Sequence, residues 1–235
     1  MDILAIHGEH LTPLSAFAER RINNRLPVAR EGLPFIGIGC GVTILCVYLG
    51  FTLGAIVTGA LSLFTIYFFR DPERFAQTDG GAILTPADGK IIDIKVLDND
   101  DNPLGESAVK VSIFMSLFSV HVNRVPVSGR IDKIDYHPGN FFSANLDKAS
   151  EQNEKNQITL QTDRGPKVVF VQIAGLVARR IACWIKEGDM VQSGQRCGLI
   201  RFGSRLDVYI PQNSRIIGKR HQKVKAGETI LGYLS

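Results

Sequence analysis

The chain has 235 residues, of which 45% are hydrophobic and 21% charged, and its net charge is +4. This is the composition of a folded globular protein of one domain with an appendage, which excludes a largely disordered chain. No cluster of lysine and arginine with interleaved aromatic residues is present, so the positive charge does not predict nucleic-acid binding. The four cysteines have the spacing of neither a zinc site nor a disulfide framework, and no metal is predicted: Cys40, Cys46, Cys183 and Cys197.

The N-terminal segment, residues 1–32, carries a loose helical stripe of apolar residues among arginines. The stripe consists of Leu11, Leu14, Phe17, Ile22 and Leu26. A helix with such a stripe can lie in the interfacial layer of a membrane. An ordinary amphipathic connector fits the same pattern, and both interpretations stay open.

Residues 33–69 form an apolar run that contains no acidic, basic or histidine residue. As one helix the run would be about 55 Å long at 1.5 Å per residue, whereas the hydrocarbon core of a bilayer is about 30 Å thick. Two arms of roughly 17 to 19 residues that turn near Leu49-Gly50 fit better. The sequence therefore predicts a membrane hairpin, which either spans the bilayer or is re-entrant.

Basic residues flank this run on both sides, with Arg30 before it and Arg70 and Arg74 after it. Positive charge on both flanks places both ends of the hairpin in the cytoplasm. We therefore expect the chain in the cell (inner) membrane, with its remaining domain facing the cytoplasm and anionic lipid as a partner. The alternative is a buried hairpin in the core of a soluble protein.

Residues 70–235 predict a β-rich domain of the sandwich or barrel class. Short runs rich in valine and isoleucine alternate with turn residues, and a polar loop with a short helix is expected over Asn140–Asn156. The pattern Pro-x-x-Gly-basic-Ile occurs at Pro86 and again at Pro126, and two further glycine turns follow at Gly188 and Gly227. These recurring turns resemble the hybrid barrel of biotinyl and lipoyl domains, although independent β-turns would use the same residues.

The dipeptide Gly203-Ser204 lies between two strand-like runs and is a candidate site of self-cleavage. The Ser204 hydroxyl can attack the Gly203 carbonyl and turn the amide into an ester. Elimination then leaves dehydroalanine, which hydrolyses to a pyruvoyl group. Glycine suits the upstream position because it has no side chain and tolerates strained backbone.

Two more residues are candidates for this chemistry. Asp88 lies in a Pro-Ala-Asp-Gly turn, and His121 follows an apolar strand. A histidine can accept the serine proton while a carboxylate orients it. Each residue also has a simpler explanation, since Asp88 can bond its own turn and His121 can be structural. No Gly-x-Ser-x-Gly motif is present, which disfavours the hydrolases that carry it.

Five motifs together resemble the phosphatidylserine decarboxylases, in particular their short, membrane-anchored type. They are Phe-Phe-Arg-Asp-Pro-Glu-Arg (68–74), Thr-Pro-Ala-Asp-Gly (85–89), Phe-Ser-Val-His-Val-Asn-Arg-Val-Pro (118–126), Tyr-His-Pro-Gly-Asn-Phe (136–141) and Phe-Gly-Ser-Arg (202–205).

The resemblance implies a proenzyme that cleaves itself into a β chain, residues 1–203, and an α chain, residues 204–235. Ser204 would become a covalent pyruvoyl cofactor, which forms a Schiff base with phosphatidylserine and accepts the electrons released with CO₂, giving phosphatidylethanolamine. His121 would donate the proton to the substrate carbon, because its pKa is expected near neutrality. Asp88 would support self-cleavage.

The chain departs from the family pattern at Arg124, where long members of the family have a second histidine assigned to self-cleavage. Arginine is not a practical base, so either His121 serves both steps or another group such as His137 takes over. Arg124, Arg179 and Arg180 are candidate ligands of the substrate phosphate, although they could equally be surface charges.

Two other functions stay open at this stage. One is a non-catalytic membrane-anchored adaptor built on a hybrid barrel. The other is a decarboxylase of a related amino-acid phospholipid, such as one with ether-linked chains. The sequence also leaves homodimerisation open.

Overall fold

A computed structural model describes residues 26–75, 81–98, 102–142, 152–176, 180–201 and 203–235 of the chain. Strands account for 41% of the residues and helices for 20%. The prediction of a mainly β fold that follows an apolar helical segment is confirmed. Most of the predicted amphipathic segment, residues 1–25, and Arg179 lie outside the described residues.

Two helices form the predicted hairpin, α1 (Leu33–Tyr48) and α2 (Thr52–Phe68), after a 3₁₀ turn at Arg30–Gly32. The chain reverses at Leu49-Gly50, where Gly50 adopts a φ of +70° that favours glycine. A Cβ added at Gly39 would lie 2.5 Å from the Ser62 hydroxyl, so the glycine lets the helices pack closely. Since the helices have 16 and 17 residues, they are about 24 and 26 Å long.

The apolar side chains of this hairpin are largely exposed, on both helices and on most of their faces. Such helices need an apolar environment, which the described residues of the β domain do not supply. The stretch Arg30–Tyr48 is long and apolar enough to cross a membrane. By composition, therefore, α1 is suited to a bilayer, and α2 is a shorter apolar helix beside it.

Fourteen strands are described in the rest of the chain. They are β1 (Ala82–Leu84), β2 (Gly89–Leu97), β3 (Ala108–Met115), β4 (Val122–Arg124), β5 (Gly129–His137), β6 (Lys155–Thr162), β7 (Lys167–Ile173), β8 (Ile181–Cys183), β9 (Met190–Val191), β10 (Arg196–Ile200), β11 (Ser204–Pro211), β12 (Arg215–Ile216), β13 (Lys223–Val224) and β14 (Ile230–Tyr233). The C-terminal boundary of the loop predicted over Asn140–Asn156 is wrong, because Lys155 and Asn156 belong to β6 and pair with β7.

The strands form one large sheet and two small ones. Eight antiparallel strands, in the order β13-β2-β3-β11-β7-β6-β5-β9, curl into a half-barrel. The small sheets have the orders β1-β14-β12 and β4-β10-β8. Aliphatic side chains from all three sheets fill a common core, which includes Ile113, Leu206 and Leu231.

The two Pro-x-x-Gly turns are connected by backbone hydrogen bonds, each to the segment that precedes the other turn. The Arg124 N–H donates to the Pro86 carbonyl of the first turn, and the Leu84 N–H donates to the Pro126 carbonyl of the second, both at 2.8 Å. At Gly89, the glycine of the first turn, an added Cβ would lie 2.0 Å from the Phe114 carbonyl oxygen. The glycine is therefore required by a close approach of two backbones.

The base of the hairpin packs directly on the small sheet β4-β10-β8. Phe68 and Phe69 lie in a buried cluster with Val122, Trp184 and Leu199. The Trp184 indole N–H also donates to a Glu31 carboxylate oxygen at 3.0 Å. The hairpin therefore joins the β domain at the strands that adjoin residues 120–121.

Candidate active site

Ser204 is the first residue of β11, a central strand of the half-barrel, and it is fully buried. It pairs with Met115 at the end of β3, and its hydroxyl Oγ lies 3.9 Å from the Met115 sulfur. Gly203 adopts a φ of +64°, in the left-handed region that favours glycine. The proposed scissile bond therefore lies where a glycine turn enters a strand held on both sides by β3 and β7.

Asp88 reaches the same end of β3 through the close backbone contact of Gly89 with Phe114. Its carboxylate accepts hydrogen bonds from Arg74 at 2.5 and 3.0 Å and from the Ala226 N–H at 2.7 Å. These contacts fix the carboxylate in one orientation and make it the partner of a nearly buried cation.

His121 is fully buried one residue before β4, and its ring stacks on Phe68 with the ring centroids 4.0 Å apart. Within the part of the chain that the structure describes, neither ring nitrogen has a well-formed hydrogen bond, and a weaker interaction with the Ser119 backbone raises the pKa of His121. Burial, with a smaller contribution from Arg70, lowers the pKa of His121 to about 4. The expectation of a near-neutral pKa is therefore wrong for the intact chain, and His121 is a neutral base at cellular pH.

The structure brings His121, Asp88 and Ser204 to one end of the barrel, around Met115 and the end of β10. The Ile200 N–H donates to the His121 carbonyl at 3.4 Å, four residues before Ser204. Asp88 raises the pKa of His121 electrostatically without a hydrogen bond between them. His137, in contrast, is exposed on β5, three strands away from β11.

A series of hydrogen bonds between buried side-chain amides ends at Met115. The sequence motifs did not predict this series. Asn156 donates to Gln172 at 3.0 Å, Gln172 donates to Asn123 at 2.8 Å, and Asn123 donates to the Met115 sulfur at 3.5 Å. Sulfur is a weak acceptor, so the Asn123 amide keeps hydrogen-bonding capacity beside Ser204. Gln172 offered a signal, since it is the one polar residue in the apolar part of β7 that follows Lys167.

Arg124 lies in a buried ionic cluster that holds residues 71–73. It donates to the carbonyls of Gly194 and Pro72 at 2.8 and 2.9 Å, and Asp71 lies 3.8 Å away. Arg196 binds the same Asp71 carboxylate with Nε at 2.9 Å. These contacts support a structural role for Arg124, and its role in binding substrate stays a prediction.

Arg180 is exposed directly before β8, whose Ile181 pairs with Ile200 of β10. It therefore lies beside the chain that leads to Gly203-Ser204, which is a suitable position for a ligand of an anionic headgroup. Its role, like that of Arg179, stays a prediction.

Comparison with known proteins identifies the family. The family model described as phosphatidylserine decarboxylase matches residues 61–232. A phosphatidylserine decarboxylase proenzyme of Desulfotalea psychrophila is 50% identical over 210 residues, which cover 89% of this chain and 98% of that protein. Proteins of the same name from Syntrophus aciditrophicus and Geotalea uraniireducens are 51% and 47% identical, over 87% and 90% of this chain and 96% and 99% of their own length.

The chain belongs to the phosphatidylserine decarboxylase family. The resemblance found in the sequence motifs is thereby confirmed, and so is the prediction that the chain is an enzyme of this family. Its membership excludes the adaptor as the main function, because the match spans the β domain that carries Ser204, His121 and Asp88.

Arg205, the residue that follows Ser204, forms a buried ion pair in β11. Arg205 donates to both oxygens of Asp207 at 2.6 and 3.0 Å and to the Ser112 hydroxyl at 2.9 Å, and all three residues are buried. Side chains alternate along a strand, so this pair lies on the face of β11 opposite to Ser204. It anchors the strand that begins with the serine.

We expect Arg205→Leu to lower the free energy of unfolding by about 3 kcal/mol, because the buried Asp207 carboxylate loses its guanidinium partner. Thermal unfolding in detergent measures the loss, and the double variant Arg205→Leu/Asp207→Leu should recover most of it. Arg130→Leu is the matched control, since Arg130 makes the same i, i+2 ion pair with Asp132 on an exposed surface. An equal loss in both single variants would contradict the buried-pair argument.

The lowered pKa of His121 also predicts a pH dependence of stability. The unfolded chain takes up a proton on this histidine below its ordinary pKa of 6.5, whereas the folded chain does so only near 4. Stability is therefore lost as the pH falls from 6.5 towards 4, by about 2 kcal/mol between pH 7.5 and 5. Unfolding temperatures at the two pH values should differ more for the wild type than for His121→Gln. Equal differences would show that His121 does not titrate in this way.

Proposed function

We propose that this chain is a proenzyme that cleaves itself between Gly203 and Ser204 and then decarboxylates phosphatidylserine to phosphatidylethanolamine. One observation carries the proposal: a glycine with a positive φ precedes a fully buried serine that begins a central strand, at the end of the barrel where the buried, neutral His121 lies. The relatives support it, since they are named as proenzymes of this decarboxylase.

Cleavage would start when the Ser204 hydroxyl loses its proton to a base and Oγ attacks the Gly203 carbonyl carbon. The carbon–nitrogen bond breaks, which frees the Ser204 amine and leaves an ester. Loss of the Ser204 Cα proton then breaks the Cβ–Oγ bond, and Gly203 leaves as a carboxylate. The resulting dehydroalanine takes up water and releases ammonia, leaving a pyruvoyl group on Arg205.

His121 is the best candidate for the base, because its buried imidazole is neutral at cellular pH and lies at the same end of the barrel as Ser204. Arg124 cannot take this role, since burial and Arg196 lower its pKa but leave an arginine protonated at cellular pH. His137 is exposed and three strands away. We therefore favour His121 for both self-cleavage and proton transfer to the substrate carbon, with Asp88 supporting the positive charge that it gains.

The pyruvoyl group would supply a carbonyl that condenses with the substrate amine and accepts the electron pair released with CO₂. The chain's own residues would hold this reaction in place. β11 keeps the new N-terminus between β3 and β7, and Arg205 fixes it from the opposite face. His121, which is neutral at cellular pH, would take up the proton that the substrate ammonium loses when the imine forms, and would return it to the substrate carbon. Arg180 and Arg179, with Arg124, are the candidates for the phosphate.

The hairpin supports an anchor in the membrane that contains the substrate. The acyl chains of phosphatidylserine stay in the bilayer while the headgroup enters the protein, so the site has to lie at the membrane surface. Phe68, the last residue of α2, stacks on His121, which brings the end of the hairpin to the site. Arg30, Arg70 and Arg74 flank the hairpin and favour a cytoplasmic orientation in the cell membrane, beside anionic lipid.

A decarboxylation assay tests this function. The purified chain, in mixed micelles with phosphatidylserine, should release CO₂ and form phosphatidylethanolamine, and hydroxylamine should abolish turnover because it traps a reactive carbonyl. Conversion that is resistant to hydroxylamine would contradict the pyruvoyl mechanism. If fully cleaved protein does not convert phosphatidylserine, the assignment of phosphatidylserine as the substrate is contradicted.

A further inference from the structure

The loop of residues 116–119, which we call the rim loop, exposes two large apolar side chains. Leu117 is 42% exposed and Phe118 is 66% exposed. The loop is not loosely built, because the Ser116 N–H donates to the Ser119 hydroxyl at 3.2 Å and the Ser119 N–H donates to the Ser116 carbonyl at 3.0 Å. These bonds hold Leu117 and Phe118 outward, where water would be an unfavourable neighbour.

The rim loop is joined to the hairpin by specific contacts. The Phe118 ring meets the Phe64 ring of α2 edge-on, with the centroids 6.4 Å apart. The Phe118 carbonyl accepts hydrogen bonds from Arg70 at 2.7 Å and from the Tyr67 hydroxyl at 3.3 Å. The apolar surface of α2 is therefore in contact with the rim loop through Phe64 and Phe118.

Cationic and aromatic side chains surround the same point. The Arg70 guanidinium lies over the Tyr67 ring, 4.0 Å from its centroid, and Arg201 approaches Phe35 of α1 at 5.4 Å. Aromatic rings beside arginines at the end of apolar helices are typical of the layer where lipid headgroups meet the hydrocarbon core. This composition favours a lipid surface over a protein partner.

The position of the rim loop links it to the reaction. It begins directly after Met115, which pairs with Ser204, and it ends two residues before His121. Any surface that holds the rim loop therefore lies beside the candidate active site.

We propose that the rim loop inserts Leu117 and Phe118 into the interfacial layer of the bilayer, with Arg70 facing lipid phosphate. This contact is additional to the hairpin anchor on which it depends, and it holds the mouth of the site at the depth of the substrate headgroup. The inference rests on the proposed function for the identity of the substrate and on the proposed membrane anchor, but the loop's contact with lipid can be measured without turnover.

The kinetic test uses Leu117→Ser/Phe118→Ser in the full chain reconstituted in phosphatidylcholine vesicles. Loss of this apolar contact should raise the KM for long-chain phosphatidylserine in the vesicles roughly tenfold. Turnover of monomeric short-chain phosphatidylserine and cleavage at Gly203-Ser204 should stay as in the wild type. Val96→Ser is the matched control, since Val96 is 60% exposed and pairs with Val109, at the end of β3 away from Met115.

A decrease in kcat/KM that is equal for the vesicle substrate and the monomeric substrate would overturn the proposal, because it would mean that the variant damages the site itself. An unchanged KM on vesicles, or an equal change in Val96→Ser, would overturn it as well. A wild type that decarboxylates neither substrate would instead contradict the proposed function and leave the next measurement to decide on the loop.

That measurement is fluorescence quenching by brominated phosphatidylcholine in the same vesicles. The chain has one tryptophan, Trp184, which is buried and provides a constant background. Phe118→Trp should add emission that bromine at the upper acyl carbons quenches, whereas Val96→Trp should add emission that is not quenched. Equal quenching of the two variants, or none at position 118, would overturn the proposal.

Discussion

Ser204→Ala is expected to give a single, uncleaved and inactive chain. The substitution removes the hydroxyl that would attack Gly203 and the residue that would become the pyruvoyl group, so decarboxylation should fall to background. The fold should survive, because alanine occupies the same buried position and only a weak contact with the Met115 sulfur at 3.9 Å is lost. Denaturing electrophoresis and phosphatidylethanolamine formation measure the two results.

Ser214→Ala is the control for this experiment. Ser214 is also a buried serine of the predicted α chain, and its hydroxyl has no hydrogen-bond partner among the described residues. This variant should cleave and turn over like the wild type. Two chains split at the same position in Ser204→Ala would refute the assignment of the cleavage site.

His121→Gln is expected to lower decarboxylation by about 10²- to 10⁴-fold, the usual contribution of a general acid–base group. If His121 is also the base of self-cleavage, precursor should accumulate in the same variant. The two effects are separated by measuring turnover per cleaved chain, with the extent of cleavage determined by mass spectrometry. Near-normal turnover per cleaved chain would remove His121 from the catalytic step.

His137→Gln tests the competing base directly. His137 is exposed at the end of β5, so its replacement should leave the fold, the cleavage and the turnover unchanged. Slow cleavage in this variant, with normal cleavage in His121→Gln, would transfer the role of base to His137.

The fold was predictable from the sequence where local signals are strong. The uncharged run predicted both helices of the hairpin and its turn at Leu49-Gly50, because length and charge alone decide such a segment. The Pro-x-x-Gly turns at Pro86 and Pro126 predicted the starts of β2 and β5, since a glycine was needed where two backbones meet. The sequence could not predict which strands would pair, because pairing depends on contacts between distant residues.

The site was predictable in its reactive residues and less so in their surroundings. Ser204, His121 and Asp88 carry chemistry in their own side chains, and the structure brings them to one end of β3. Burial was not visible in the sequence, so the pKa of His121 was expected near neutrality instead of about 4. The contacts of Arg74 with Asp88 and of Phe68 with His121 were missed for the same reason, since each joins residues that are far apart in the chain.

The most direct test of the proposed function is denaturing mass spectrometry of the purified wild-type chain, with and without borohydride in the presence of phosphatidylserine. We predict two chains, one that ends at Gly203 and one that begins at the position of Ser204. The chain of residues 204–235 should lack a free amine at its N-terminus and should gain the mass of the substrate amine after reduction. A single intact chain of 25.8 kDa in active protein would contradict the account.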